Sequence, residues 1–137
     1  MYDKYGLLIE NTWRPATGGG TMPVFSPVSE DEIGRIPSAS HDDIEVALES
    51  AARGFLVWRD MPACNRSKIM RKASDLIRDR LEDIARMMST ETGKPLAEAR
   101  GETNAAADQF EWYAEEAKRV YGQTIPPRGP YHRMSVI

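Results

Sequence analysis

The sequence contains one cysteine, Cys64, and two histidines, His41 and His132, among its 137 residues. A single cysteine excludes an internal disulfide framework, and a zinc site needs three or four converging ligands. We therefore predict neither a disulfide scaffold nor a metalloenzyme. A helix start close to Arg66 and Lys68 could activate the Cys64 thiol, but we interpret Cys64 as a helix-start residue without special reactivity. His41 is interpreted as a surface residue in the first turn of a helix.

Three further features are missing. No run of about 18 apolar residues is present, so no segment is predicted to span a membrane. The formal net charge of -3 gives no electrostatic reason to expect nucleic acid or an anionic membrane as a partner. Residues 1–5 lack the basic-then-apolar order of a signal peptide, which leaves the cytoplasm as the default location.

Glycine-rich phosphate-binding motifs are also missing. The chain has no Gly-x-Gly-x-x-Gly sequence, the fingerprint of dinucleotide binding. Gly18-Gly19-Gly20 lacks the preceding strand, the following helix and the Gly-Lys-Ser/Thr ending of a phosphate loop. We interpret this segment as a flexible surface turn.

The length of 137 residues predicts one domain with a modest core, and a composition of 41% hydrophobic and 28% charged residues is ordinary for a soluble protein. Short strands followed by three long helices predict the α+β class. Residues 5–37 predict short strands, beginning with a hairpin that runs from Leu7 to Trp13. An extended segment over residues 22–28 contains two prolines, which is typical of an edge strand. A turn then leads to a strand over residues 33–37.

Residues 40–122 predict a layer of three long helices. Ser40 is expected to cap the first, with Asp42 and Asp43 in its first turn, and its apolar stripe consists of Ile44, Ala47, Leu48, Ala51, Phe55 and Trp58. The second runs from about Cys64 to Thr92. We allow for a break near Arg80, because about 28 residues exceeds the usual helix length in globular proteins.

The third helix is predicted from about Pro95 to Tyr121, with Gly122 as its cap. Gly93 suits the left-handed position that ends the preceding helix, and Pro95 suits the first turn of a new one. One face of this helix contains Ala99, Ala106, Phe110, Tyr113, Ala117 and Tyr121. The aromatic cluster of Phe110, Trp112, Tyr113 and Tyr121 is interpreted as core, and Gly101 is expected at a close packing contact. Ala105-Ala106-Ala107 should allow another backbone to approach. Residues 131–137 alternate as a strand does.

Several segments together resemble one enzyme family. Residues 91–95 are Glu-Thr-Gly-Lys-Pro, residues 111–119 are Glu-Trp-Tyr-Ala-Glu-Glu-Ala-Lys-Arg, and residues 121–126 are Tyr-Gly-Gln-Thr-Ile-Pro. Their order and spacing resemble the N-terminal region of the NAD(P)-dependent aldehyde dehydrogenases, most closely the succinate-semialdehyde type. The resemblance covers essentially the whole chain.

The resemblance implies that residues 1–137 form the N-terminal portion of the α/β Rossmann-type cofactor-binding domain of such an enzyme. It implies oxidation of an aldehyde, such as succinate semialdehyde, to a carboxylic acid with NAD or NADP, and a homo-oligomer in which residues 131–137 start an oligomerisation strand. The catalytic cysteine, the general-base glutamate and the cofactor-binding strands would follow Ile137. No catalytic or cofactor-binding residue is therefore assigned here, and the 137-residue chain alone is expected to be inactive.

A cation site is also implied by the resemblance. In several aldehyde dehydrogenases the acidic residue two positions before Gly-Lys-Pro helps to bind a structural monovalent cation, together with main-chain carbonyl groups. These positions fall on Glu91, Val24 and Phe25 in this sequence. From the residues alone, the favoured interpretation of Glu91 is an acid at the end of an exposed helix. A further carbonyl would come from beyond residue 137, so the chain alone should hold the ion weakly.

A second function remains open. The chain could be a non-catalytic helical interaction module that keeps the sequence of the family without its activity. A module that functions alone should have polar outer helix faces, whereas the third helix has Phe110, Tyr113, Ala117 and Tyr121 on one face. We therefore favour the enzyme interpretation.

Overall fold

The computed structural model describes residues 5–126, 129–132 and 134–136, and it confirms the α+β class. Four short strands precede four helices, and two further strands follow them. The strands are β1 (Leu7–Ile9), β2 (Thr12–Arg14), β3 (Thr21–Phe25), β4 (Glu32–Pro37), β5 (Gln123–Ile125) and β6 (Met134–Val136). The helices are α1 (His41–Asp60), α2 (Ala63–Asp79), α3 (Leu81–Thr92) and α4 (Leu96–Glu116).

The predicted N-terminal hairpin is present as β1 and β2. Ile9 pairs with Thr12, which leaves a two-residue connection of Glu10 and Asn11. Both connecting residues have positive φ, at 53° and 60°. Two central residues with positive φ are the mark of a type I′ turn, whose twist matches that of the flanking strands.

A second antiparallel ribbon is formed by β3 and β4, and its register shifts once. Val24 pairs with Gly34 and Phe25 with Glu32, so Ile33 has no opposite residue and the ladder is interrupted there. The predicted extended segment over residues 22–28 is a strand only as far as Phe25. A turn then begins, in which the Ser26 hydroxyl accepts hydrogen bonds from the main-chain N–H groups at positions 28 and 29.

The third ribbon pairs β5 with β6, with Thr124 opposite Ser135. We predicted a strand over residues 131–137, and the described strand begins at Met134; positions 133 and 137 lie outside the described residues. Its partner is the preceding strand, β5, which was not predicted from the sequence.

Helix α1 begins as predicted at Ser40. The Ser40 hydroxyl accepts a hydrogen bond from the Asp43 N–H, and the Asp43 carboxylate accepts one from the Ser40 N–H, which is a complete capping box. At the other end, the Arg66 guanidinium donates to the carbonyl groups of Arg59 and Met61, at 3.2 and 2.5 Å. The apolar stripe of α1 is largely exposed in the described part of the chain, with Leu48 59% and Phe55 61% exposed.

The second predicted helix is divided at Arg80 into α2 and α3, where we had allowed for a break. The third predicted helix, α4, ends at Glu116, so its predicted end at Tyr121 and the Gly122 cap are wrong. The N–H groups of Lys118 and Arg119 bond to carbonyl groups three residues earlier instead. Such tight bonds close the last turn of a helix.

The core lies mainly between α2 and α4 and is built from small side chains. Its buried members are Ser67, Ser74, Ala99, Thr103, Ala107 and Ala114. The Ser74 hydroxyl donates a 2.8 Å hydrogen bond to the main-chain carbonyl of Ala107. The prediction that the alanine run allows close approach is therefore confirmed at Ala107.

The predicted buried face of α4 is correct at Ala99 and wrong at Ala106, Phe110 and Tyr113, which are exposed. The buried face instead carries Ala99, Thr103, Ala107 and Ala114. Gly101 is also exposed, and a Cβ added there would meet nothing within 4 Å, so no packing contact requires glycine. None of the described helices is long and apolar enough to cross a membrane.

Candidate functional site

The predicted hinge at residues 93–95 is a sharp corner between α3 and α4. Gly93 ends α3 in the left-handed conformation, with φ of 74°, and its N–H donates to the Ser89 carbonyl at 2.9 Å. The Ser89 hydroxyl donates a 2.7 Å hydrogen bond across the corner to the main-chain carbonyl of Lys94. The corner is thus held by its own hydrogen bonds, and glycine is required there because other residues rarely adopt this conformation.

The turn after β3 packs directly against this corner. A Cβ added to Gly93 would lie 3.1 Å from the Val28 Cγ2 atom and 3.2 Å from the Pro27 Cγ atom. Residues 24 and 25 lie just before Pro27, and Glu91 lies just before Gly93. The structure therefore packs the turn that follows β3 against the corner that follows Glu91.

On the helix side, Glu91 is an exposed residue in the last turn of α3. It lines an open groove of about 850 Å³ along this helix. The groove is also lined by Tyr5, Arg80, Asp83, Ile84, Met87, Met88 and Thr92. The Glu91 side of the candidate site is therefore accessible from solvent.

On the strand side, Val24 and Phe25 flank the register shift of the β3–β4 ribbon. A main-chain carbonyl is a neutral oxygen donor, and hard cations accept carboxylate and carbonyl oxygens. Among the described residues, no group of three or more His, Cys, Asp or Glu could hold a metal ion. One carboxylate with neutral carbonyl oxygens suits a singly charged cation better than a divalent one, because ligand charge should match the charge of the ion.

Ion pairs join α3 and α4 around the corner. The Lys94 ammonium contacts the Glu102 carboxylate at 2.6 Å, and the Arg100 guanidinium contacts Glu82 at 2.7 Å. The hydrogen bond from Arg100 is the main reason why the pKa of Glu82 lies below its usual value. The Arg100–Glu82 pair connects α3 to α4, and the Lys94–Glu102 pair connects the corner to α4. Neither pair was predicted from the sequence.

A second set of ion pairs orients α4 on α2. The Arg78 guanidinium contacts Asp108 at 2.7 Å and Glu111 at 2.8 Å, and it also donates to the Ser74 hydroxyl. These two carboxylates, Asp108 most, raise the pKa of Arg78. These pairs were not predicted from the sequence, because residues 30 or more positions apart give no local signal.

Asp43, which was predicted only to lie in the first turn of α1, is a buried carboxylate. It accepts hydrogen bonds from both the N–H and the hydroxyl of Thr17, in the loop after β2, in addition to those from Ser40. Hydrogen bonds from the Thr17 hydroxyl and from main-chain N–H groups favour the charged form and hold the pKa of Asp43 far below its usual value. The Ser-x-x-Asp spacing was the signal for its helix-capping role.

The remaining singled-out residues support structural interpretations. Cys64 is exposed in the first turn of α2, and Arg66 is engaged with carbonyl groups at the end of α1. His41 is exposed and lies 3.6 Å from Glu45. Gly19 has φ of 68° and donates its N–H to the Ala16 carbonyl, as a turn residue does.

The aromatic cluster on α4 is not core in the described part of the chain. The exposed fractions are 43% for Phe110, 65% for Trp112, 57% for Tyr113 and 77% for Tyr121. Tyr121 also lies beyond the end of α4, so it does not share the helical face to which we assigned it. The sequence pattern showed the apolar character of this segment but not which face contacts α2.

Comparison with known sequences gives one family. The aldehyde dehydrogenase family model matches residues 13–137. The NADP(+) succinate-semialdehyde dehydrogenase of Escherichia coli is 40% identical over 130 residues, which cover 95% of this chain and 27% of that protein. A glutarate-semialdehyde dehydrogenase of Pseudomonas putida is 42% identical over 129 residues, which cover 94% of this chain and 27% of that protein.

Comparison with solved structures agrees. The succinate-semialdehyde dehydrogenase of Burkholderia pseudomallei superposes with a TM-score of 0.92 at 36% identity, over 97% of this chain and 28% of that one. An aldehyde dehydrogenase of Brucella melitensis gives a TM-score of 0.89 at 44% identity, over 93% of this chain and 26% of that one. The chain therefore spans little more than a quarter of the length of these relatives.

Proposed function

The chain belongs to the aldehyde dehydrogenase family, and we propose that it forms the N-terminal portion of the cofactor-binding domain of an NAD(P)-dependent aldehyde dehydrogenase. The observation that carries the proposal is the match of nearly the whole chain, at a TM-score of 0.92, to just over a quarter of a succinate-semialdehyde dehydrogenase. The match covers almost every described element, so little of this chain remains that could form a different architecture.

The proposed reaction is the oxidation of an aldehyde to a carboxylic acid. NAD or NADP would accept the hydride from the substrate. Two relatives of this chain are named for succinate and glutarate semialdehyde, which supports a short aldehyde bearing a distant carboxylate as the substrate class. We assign no catalytic or cofactor-binding role to any residue of this chain.

The proposed contribution of this chain is architectural. The helices α1 to α4 would form a layer against the cofactor-binding sheet, and β6 would begin a strand used in homo-oligomerisation. The exposed apolar residues of α1 support this role, because Phe55, Leu56 and Val57 are each at least half exposed. The same exposure argues against the alternative, a free-standing interaction module, which should have polar outer faces. We also propose a cytoplasmic location, which is the default that the sequence leaves.

A structural monovalent cation is part of the proposal. Glu91 would supply a carboxylate oxygen, and Val24 and Phe25 would supply main-chain carbonyl oxygens. The contact of Gly93 with Pro27 and Val28 supports the pairing of these two segments. The cation would offset the carboxylate charge and tie the end of α3 to the end of β3.

An assay of cofactor reduction tests the catalytic part of the proposal. The 137-residue chain is given NAD or NADP with succinate semialdehyde or glutarate semialdehyde, and both cofactors are titrated by calorimetry. The Escherichia coli succinate-semialdehyde dehydrogenase serves as the positive control. We expect neither turnover nor cofactor binding by residues 1–137 alone. Turnover by that chain would overturn the assignment of an architectural role. Cys64 would then have to be reconsidered as a nucleophile.

A further inference from the structure

We propose that α1 is a detachable arm of this chain: it opens as one unit, separately from α2 and α4, and Arg66 is the positioning residue that holds it closed. The inference goes beyond the proposed function and does not depend on it. Three features of α1 support it, namely its exposure, its polar attachments and its connection to α2.

The first feature is the exposure of α1. Among the described residues of this helix, Asp43 is the only buried one, positions 46, 47 and 50 are half-buried, and the rest are exposed. The exposed residues include the apolar run from Phe55 to Trp58. By contrast, α2 and α4 share a buried seam. A segment with few buried contacts opens at a lower free energy than the core does.

The second feature is that polar groups attach α1 to the N-terminal segment. At the start of the helix, the Asp43 carboxylate accepts hydrogen bonds from the N–H and the hydroxyl of Thr17. Further along, Arg53 forms an ion pair with Glu10, and both side chains are more than half exposed. Exposed ion pairs contribute little to stability. Opening the arm therefore replaces protein hydrogen bonds with bonds to water and exposes little apolar surface.

The third feature is the connection between α1 and α2. Only Met61 and Pro62 join the two helices, and their ψ angles of 136° and 137° are not helical. The Arg66 guanidinium, in the first turns of α2, donates back across this connection to the carbonyl groups of Arg59 and Met61, at 3.2 and 2.5 Å. Hydrogen bonds from a charged donor are stronger than those between neutral groups. Arg66 therefore holds the end of α1 against the start of α2.

The three features together describe a hinge. A few residues between two elements commonly absorb the change in backbone angles when one element moves, and here these residues are Met61 and Pro62. Loss of the Arg66 hydrogen bonds should release α1 while the seam between α2 and α4 stays intact. Such an arm can bring its exposed apolar residues to another surface without disturbing the core.

The test is amide hydrogen exchange of the 137-residue chain, measured by mass spectrometry on peptides from α1 and α4. A helix of this length is only marginally stable in water once it is detached, so opening is detected as exchange. Dilute protein is used, because self-association would cover α1. In the wild type we expect residues 46–60 to exchange together, and about 10-fold or more faster than the part of α4 around Ala107. Exchange of α1 as slow as that of α4 would overturn the proposal without any variant.

A variant tests the role of Arg66. Arg66→Met keeps most of the length of the side chain and removes its hydrogen-bond donors. We expect exchange in α1 to become about 10-fold faster, because hydrogen bonds from a charged group contribute on this scale, and exchange in α4 to stay the same. Arg59→Met is the matched control. The Arg59 guanidinium also lies at the end of α1, but it donates to the Asp60 carboxylate, so this variant removes the same charge and leaves the carbonyl contacts in place.

The outcomes are distinct. Faster exchange in α1 alone, present in Arg66→Met and absent in Arg59→Met, supports the proposal. An equal rise in α1 and α4 would show that Arg66 stabilises the whole chain, and the proposal of a separate arm would be wrong. Unchanged exchange in Arg66→Met, or the same rise in both variants, would overturn the role of Arg66.

Discussion

Thr17 and Asp43 are joined by three hydrogen bonds of 2.6 to 3.3 Å, in which the Thr17 N–H and hydroxyl donate to the Asp43 carboxylate. The Asp43 carboxylate also accepts from Ser40, so a single buried side chain caps α1 and ties it to the loop after β2. The ion pair between Arg53 and Glu10 also joins α1 to the N-terminal hairpin. Asp43 is therefore one of the connections between α1 and the N-terminal segment.

Asp43→Asn should lower the stability of the protein. The amide offers one acceptor oxygen where the carboxylate offers two, so some donors of Thr17 and Ser40 would be left buried without a partner. Thermal unfolding measures the loss, and Asp42→Asn, next to it and exposed, is the control. Equal Tm values for the two variants would contradict the role of Asp43.

Lowering the pH should reduce the stability of the protein through the protonation of Asp43. Because the folded-state pKa of Asp43 is lowered, its contribution to stability is fully present above the ordinary pKa of aspartate, about 3.9, and is lost as the pH falls towards the folded-state pKa. The free energy of unfolding of the wild type should therefore fall with decreasing pH below about 4 more steeply than that of Asp43→Asn. The pKa of Glu82 is also lowered, but Glu82 is present in both proteins. The difference between the two pH profiles therefore measures the contribution of Asp43.

Gly101→Ala should stabilise the protein by about 0.5–1 kcal/mol. Gly101 lies inside α4 on an exposed face, and an added Cβ meets no atom within 4 Å. Alanine therefore gains helix propensity without a steric cost. Urea denaturation measures the change in the free energy of unfolding. A loss of stability would instead indicate that another surface covers this face of α4.

Gly6→Ala should destabilise the N-terminal hairpin. A Cβ at position 6 would lie 2.5 Å from the Arg14 carbonyl oxygen, and this atom belongs to the backbone of β2 and cannot rotate away. The strand pair would have to separate, so amide hydrogen exchange should rise at Leu7 and Arg14, which are the hydrogen-bonded pair next to Gly6 in the hairpin. Gly18→Ala, where an added Cβ meets nothing, is the control.

The 137-residue chain alone should self-associate. Large apolar side chains are exposed on α1 and α4, including Phe55 and Trp112, and exposed apolar area of this kind drives association. Sedimentation velocity over a range of concentrations measures it. A compact monomer at every concentration would contradict this expectation.

The sequence predicted features that local chemistry determines. Ser40 followed by Asp43 indicated the start of α1, and Gly93 followed by Pro95 indicated the corner between α3 and α4, because caps and turns depend on residues a few positions apart. The face of α4 was predicted wrongly, because its burial depends on how closely α2 approaches. Phe110 and Tyr113 have the periodicity of a core, yet Ala107 and Ala114 occupy it. The tie between Thr17 and Asp43 was missed because it joins residues 26 positions apart.

The seam between α2 and α4 also determines how the protein should respond to sequence change. Its buried side chains are no larger than threonine, so truncating any of them removes few atoms and leaves only a small void. Replacing one of these side chains with a larger one should be more damaging. Leucine at position 107, for example, would push α2 and α4 apart and break the hydrogen bond from the Ser74 hydroxyl to the carbonyl of residue 107. Most hydrophobic cores are damaged chiefly by cavities. This one should be damaged chiefly by overfilling, and its mutational tolerance should favour serine, alanine and glycine.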